Sequence, residues 1–173
     1  MAKTSGGVRT LKTGSKEYNL RKLEAERMKK SGDYSEVYFS EKGGGYYAVE
    51  KSPMKHTKEE LEAARFLAEK GYKVVLIDEA GSSIKVDGKI FSFTYEQRTP
   101  KEGTAENFRN ALIHAKEKGA DMALVYMKHN KHTIQSVKSG IKLFENNAKN
   151  KYRFKQIIVL TKDGRIHKHK HDA

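Results

Sequence analysis

The chain contains no cysteine, no tryptophan and only two prolines among its 173 residues. Without cysteine there is no disulfide, no thiolate zinc site and no cysteine nucleophile, and the fold needs no oxidising compartment. Without tryptophan, and with 36% hydrophobic residues, the core is lean but sufficient for one domain. Long apolar runs are also missing, so no membrane-spanning segment is expected. The opening MAKTSGGVRTLKTGSKEYN lacks the apolar centre of a signal peptide. A cytoplasmic working place and no membrane partner are therefore expected. Delivery into the cytoplasm of another cell by a larger protein would leave no trace in this stretch.

Charge is what the sequence has in excess. Lysine and arginine total 35 against 22 acids, a net charge of +13 and a pI near 9.7. Such a surplus predicts a polyanionic partner, because each phosphate neutralised by a cation releases counterions. Charge alone does not separate nucleic acid from an anionic membrane surface or an acidic protein.

Hydrophobic periodicity predicts an α/β fold, a mixed β-sheet flanked by helices, in the order α, β-β, α, β, β-β, α, β, α, β-β. Residues 1–15 read as a mobile basic tail and 16–173 as a single domain. A first helix is expected over Lys16–Lys30, with Leu20, Leu23 and Met28 inward and Arg21, Lys22, Arg27, Lys29 and Lys30 outward. Tyr34–Ser40 and Tyr46–Glu50 alternate as a strand pair. The Gly43-Gly44-Gly45 triplet between them is expected to be a flexible hairpin end, since no helix carrying Lys-Ser/Thr follows to make a phosphate loop. Ser52-Pro53 breaks the strand before the next helix.

Thr57–Arg98, TKEELEAARFLAEKGYKVVLIDEAGSSIKVDGKIFSFTYEQR, is the stretch with possible chemistry. Leu61, Ala64, Leu67 and Ala68 fall on one helical face, and Gly71 suits a left-handed stop. Val74-Val75-Leu76-Ile77 reads as a strand covered on both faces. Ser82–Val86 and Lys89–Arg98 read as two strands joined by a tight Asp87-Gly88 turn. In the second, Phe91, Phe93 and Tyr95 would share one face and Ser92, Thr94, Glu96 and Arg98 the other. Beyond it, Thr104 caps a helix with Phe108, Ala111, Leu112 and Ala115 inward. Met122–Met127 is a buried strand in parallel pairing, His132–Ala148 a third amphipathic helix, and Phe154–Thr161 another buried strand. Asp163-Gly164 turns it into Arg165–His171.

The sequence of elements, a helix with Glu60, a strand, Asp87 near a hairpin and then Glu96-Gln97-Arg98, resembles the PD-(D/E)XK nuclease superfamily. The phrase EELEAARFLAEKGYKVV is similar to the matching helix in the C-terminal tRNase toxin domains of CdiA-type contact-dependent inhibition proteins. The likeness covers residues 57–127. Two positions depart from the family pattern: Val86 stands where a proline is usual, and Arg98 where the motif has lysine. The proline does no chemistry, but a guanidinium stays protonated and holds phosphate rather than taking a proton.

The resemblance implies a Mg²⁺- or Mn²⁺-dependent nuclease of RNA, tRNA in particular, with DNA nearly as well supported by the residues themselves. Glu60, Asp87, Glu96 and Arg98 would be its catalytic set. Asp87 and Glu96 would bind the metal directly with the Gln97 carbonyl as a further ligand, Glu60 would act through water, and Arg98 would steady phosphate oxygens. An acidic immunity or inhibitor protein is the protein partner implied.

Each residue also has a structural reading. Thr57-Lys58-Glu59-Glu60 is a capping box, Asp87 suits an Asp-Gly turn, and Glu96 with Arg98 could be a solvated pair on a strand edge. His129 and His132 follow the Met122–Met127 strand, where α/β sheets often carry function. Arg165, His167, His169 and His171 alternate with Ile166, Lys168 and Lys170. Together these basic segments are candidates for guiding nucleic acid, chiefly His129, His132, Arg165, His167, Lys168 and His169. The C-terminal histidines also suit a transition metal, a metal-free ribonuclease pair, or an edge strand guarded by cations. A non-catalytic nucleic-acid-binding protein that keeps the fold is the alternative function, favoured by Arg98.

Overall fold

The computed structural model describes residues 10–81, 85–147 and 149–169. The helices are α1 (Lys16–Ser31), α2 (Lys58–Glu69), α3 (Ala105–Glu117) and α4 (Ile134–Glu145). The strands are β1 (Tyr34–Phe39), β2 (Tyr46–Glu50), β3 (Lys73–Leu76), β4 (Gly88–Ile90), β5 (Phe93–Arg98), β6 (Met122–Met127), β7 (Gln156–Thr161) and β8 (Ile166–His169). The chain is α/β with mixed strand pairing, and the elements follow the expected order. It divides into two compact units, residues 1–83 with 88–92, and residues 84–87 with 93–173. Among the described residues, no helix is long and apolar enough to cross a membrane.

In the first unit the strand order is β1-β2-β3-β4: antiparallel, then parallel through the α2 crossover, then antiparallel. Thr57 caps α2 and closes a full capping box with Glu60. The helix stops at Gly71, whose φ of 90° is natural only to glycine, and Gly71 N and Tyr72 N return to Ala68 O and Leu67 O at 3.0 Å each. Ala63, Ala64, Leu67 and Ala68 pack inward with Val74 and Leu76, whereas Val75 stays half-exposed, so β3 is not covered on both faces as expected. The glycine triplet is no flexible end either. A Cβ on Gly43 would lie 2.0 Å from Glu69 O, and one on Gly45 would lie 2.3 Å from Tyr72 O, because the turn is pressed against the end of α2.

Helix α1 shows the opposite face from the one its leucines suggest. Leu20 and Leu23 are 48% and 50% exposed, while Tyr18, Arg21 and Ala25 are buried. Arg21 wins the inward position because its guanidinium donates to Gly71 O and to Glu17 Oε2 and lies 5.5 Å from the Phe91 ring centre. Its apolar stem and several donors satisfy a carbonyl at the end of α2 that a leucine would leave unpaired. Ahead of α1, Leu11 N donates to Gly43 O at 2.9 Å, which ties that part of the N-terminal segment to the glycine turn.

The second unit has the order β5-β6-β7-β8, with β5, β6 and β7 parallel through the α3 and α4 crossovers and β8 antiparallel at the margin. Phe108, Leu112, Ala115, Val137, Ile141 and Phe144 from the two helices meet Ala123, Val125, Ile157 and Val159 from the strands. The helices touch at Gly140, where a Cβ would sit 2.6 Å from Phe108 Cβ and 2.8 Å from Ala105 O. Thr104 and Thr133 cap α3 and α4 by accepting from Asn107 N and Ser136 N.

The expected hairpin before this unit is drawn differently. Residues 82–84 of the anticipated Ser82–Val86 strand lie outside the described residues, and Lys85 and Val86 are in no strand. Gly88 begins β4, which pairs with β3, so Asp87-Gly88 is not a two-residue turn between paired strands. The anticipated Lys89–Arg98 strand is instead interrupted at Phe91, at φ 54°, and Ser92. That break cancels the alternation. Phe91 is half-buried, Phe93 is exposed and Tyr95 is fully buried.

Candidate active site

Within the second unit, Asp87 and Glu96 are acids removed from water, 5% and 4% exposed. Asp87 Oδ2 accepts the Gln97 backbone N–H at 2.7 Å. That amide belongs to the peptide following Glu96, so the Asp87 carboxylate lies against the strand segment that carries Glu96. Tyr95, Glu96 and Gln97 are all buried, so β5 is covered on both faces here and Glu96 is not a solvated strand-edge acid. Arg98, the next residue on the Glu96 side of the strand, is exposed.

Helix α3 brings one more group to this place. His114 Nε2 stands 3.5 Å from Glu96 Oε2. Burial pushes the imidazole's pKa below its ordinary value, and the Arg98 and Lys118 charges act the same way against a smaller opposing pull from Glu117. Strand β5 thus presents an acid and a guanidinium, and α3 brings an imidazole against the acid. The sequence reading missed His114. Its one signal is position: it sits between Ala111 and Ala115, at the border of the buried stripe of α3.

Both carboxylates are buried, one against a backbone amide and one 3.5 Å from an imidazole nitrogen, and carboxylate oxygens are the donor type that a hard divalent cation takes. The Gln97 side chain is buried beside them in sequence, and its backbone carbonyl offers a neutral oxygen of the same kind.

Glu60 belongs to the first unit and is held twice. Its Oε1 accepts the Thr57 N–H at 3.1 Å and faces His56 Nδ1 at 2.9 Å. His56 Nε2 meets Ile77 O at 2.9 Å. Both ring nitrogens therefore face acceptor oxygens. The capping box and the His56 pair coexist on one carboxylate.

The two loop histidines differ. His132 is buried, its Nε2 donates to Pro100 O at 2.7 Å and its Nδ1 accepts from His129 N at 3.3 Å. One donor and one acceptor define a neutral ring, and burial lowers its pKa as its main cause. It clasps the loop after β5 to the loop after β6, while His129 is exposed with its ring 5.1 Å from that of His132. On β8, His167 and Lys168 are exposed, as is Arg165 just before the strand, and His169 Nε2 lies 3.2 Å from Glu145 Oε1. His171 lies outside the described residues.

No protein-family model matches this chain, and no curated protein matches it in sequence. Among solved structures, a chain of the CdiA-CT/CdiI toxin and immunity complex from Burkholderia pseudomallei is similar at a TM-score of 0.55. The identity is 19%, and the match covers 71% of this chain and 98% of that one. Likeness at that identity is likeness of fold, and it agrees with the α/β architecture.

Proposed function

We propose that this chain is a toxin-like, divalent-metal-dependent nuclease that cleaves RNA. The observation that carries the reading is the placement of Asp87 against the Glu96–Gln97 peptide, with both acids buried in one unit of a chain of net charge +13. Asp87 and Glu96 would hold Mg²⁺ or Mn²⁺ with the Gln97 carbonyl. When bound, such an ion lowers the pKa of a coordinated water and neutralises phosphate charge. Arg98, exposed beside the acids, binds and orients the phosphate oxygens and cannot serve as the base. Glu60, in the first unit, serves the start of α2.

RNA is favoured over DNA because the α2 phrase resembles that of contact-dependent tRNase toxin domains. Arg165, His167, Lys168, His169 and the His129–His132 loop would guide its backbone. The solved neighbour is described as part of a toxin and immunity complex, which supports an acidic inhibitor protein as partner and action in a target cell. The second reading, a nucleic-acid-binding protein without catalysis, rests on Arg98 in place of lysine.

Incubating purified protein with tRNA and with plasmid, in Mg²⁺ and in EDTA, tests these readings. Metal-dependent cleavage of tRNA that disappears in Asp87→Asn and Glu96→Gln, with RNA retention kept, is the expected result. Retention without cleavage supports the second reading. Cleavage that persists in EDTA overturns the metal site and points to an exposed histidine such as His129.

A further inference from the structure

We propose that the solvent face of α1 is a docking seam for an acidic amphipathic helix of a partner protein. This rests on the reading that the partner is an acidic protein, and it is independent of the metal site. Tyr18, Arg21 and Ala25 are buried and Met28 is half-buried, so that face of the helix packs on the first unit. The opposite face carries Lys16, Leu20, Leu23, Arg27 and Lys30, all exposed. These residues stand alternately four and three apart, the spacing by which one helix presents a seam to another. Leu20 and Leu23, 48% and 50% exposed, are its apolar centre, and cations close it at both ends.

The charge of the seam decides what fits it. Glu17 is paired with Arg21 and Glu24 with Lys73, so these neighbouring acids serve the fold and leave the seam cations alone. Lys16, Arg27 and Lys30 have no side-chain partner among the described residues. A partner helix with leucines at its own centre and carboxylates opposite those cations would cover the two leucines and neutralise both ends. A second copy of the chain does not fit. Paired in parallel it sets Lys16 against its counterpart, and paired antiparallel it sets Lys16 against Lys30. A membrane surface fits less well than an acidic helix, because an interfacial helix keeps its cations off the apolar stripe, whereas here they interrupt it. RNA leaves the leucines without a role, since cations alone hold phosphates.

The test uses the full chain and a fluorescent synthetic helix of about three heptads, with leucines at its central seam positions and glutamates opposite Lys16, Arg27 and Lys30. A peptide of the same composition with its leucines moved off the seam is the control, and thermal melting checks that each variant folds. Wild type should bind the seam peptide saturably and more tightly than the control. Leu20→Ser with Leu23→Ser should weaken that binding on the order of tenfold, what covering two half-exposed leucines is worth, and should leave retention of tRNA unchanged. Lys16→Glu with Lys30→Glu, which keeps the leucines, should lose the glutamate peptide and gain one that carries lysine at the facing positions. Absence of binding by wild type overturns the proposal, as does equal binding of the seam and control peptides, or a charge-reversed chain that the lysine peptide fails to rescue. Binding to vesicles of anionic phospholipid that falls in the leucine variant overturns it in favour of a membrane surface, and tRNA retention that falls likewise overturns it in favour of RNA. Cleavage of tRNA is read separately, so failure of the nuclease reading and failure of the seam are told apart.

Discussion

Two of the glutamate–histidine pairs among the described residues are built by different means. Glu60 and His56 sit four residues apart at the start of α2, at 2.9 Å, in a geometry set by a capping box. Glu96 and His114 come from a strand and the following helix and meet at 3.5 Å only because α3 folds back over β5. In the first pair Glu60 closes the cap of its own helix, and His56 reaches on to Ile77 O. The second leaves a buried acid whose partner is a weak base and whose neighbour Asp87 is held on the next peptide, a combination that local structure does not require. A carboxylate with a local structural duty is a poor indicator of chemistry, and one buried by tertiary packing is a good one.

The largest expected effect separates the two acids by activity. Asp87→Asn keeps an acceptor for the Gln97 N–H but removes the charge. It should reduce RNA cleavage on the order of 10²–10³-fold, the scale for losing one preorganised electrostatic group. Glu60→Gln, which still closes a capping box, should change cleavage by less than about tenfold and leave the melting temperature nearly unaltered. Equal losses at both positions would dissolve the distinction between the two pairs.

Next comes a change that strains one unit and leaves the other alone. Gly140→Ala places a methyl 2.6 Å from Phe108 Cβ and should cost about 1–3 kcal/mol by overpacking. Because it presses on α3, which packs on β5, it should also weaken Mn²⁺ binding, while the amide of Glu60 stays protected from hydrogen exchange. Loss of protection at Glu60 would mean that the strain is not confined to the second unit. Thr57→Ala is the reverse experiment, costing about 1 kcal/mol through the lost cap with no change in Mn²⁺ affinity.

These contrasts also mark what could be read from sequence. Thr57 and Glu60, the α3 and α4 stripes, Gly71 and the buried β6 run were legible because each is written within one or two turns of helix or one strand. The face of α1 was not, since nothing near Arg21 announces the Gly71 carbonyl that draws it inward over Leu20 and Leu23. Nor was the break at Phe91, a non-glycine residue at positive φ that no local rule predicts. Asp87, Glu96 and Arg98 are candidates that their order in the chain suggests, and the burial of the two acids comes only from the fold. His114 could not be named, because its partner lies on another element and the helix around it reads as ordinary packing.

The smallest expected effect concerns a histidine that is neither acid-paired nor catalytic. Burial holds the folded-state pKa of His132 below the about 6.5 of an exposed imidazole. The unfolded chain therefore takes up a proton first as pH falls. The stability contributed by the neutral ring is complete above about pH 6.5 and is lost as pH drops from there toward the folded value. His114 is shifted in the same direction and adds to the slope. Urea unfolding at several pH values should show His132→Gln flattening that slope by a fraction of the about 1.4 kcal/mol per pH unit that one full proton carries. An unchanged slope in His132→Gln would mean that its two hydrogen bonds do not hold the ring neutral.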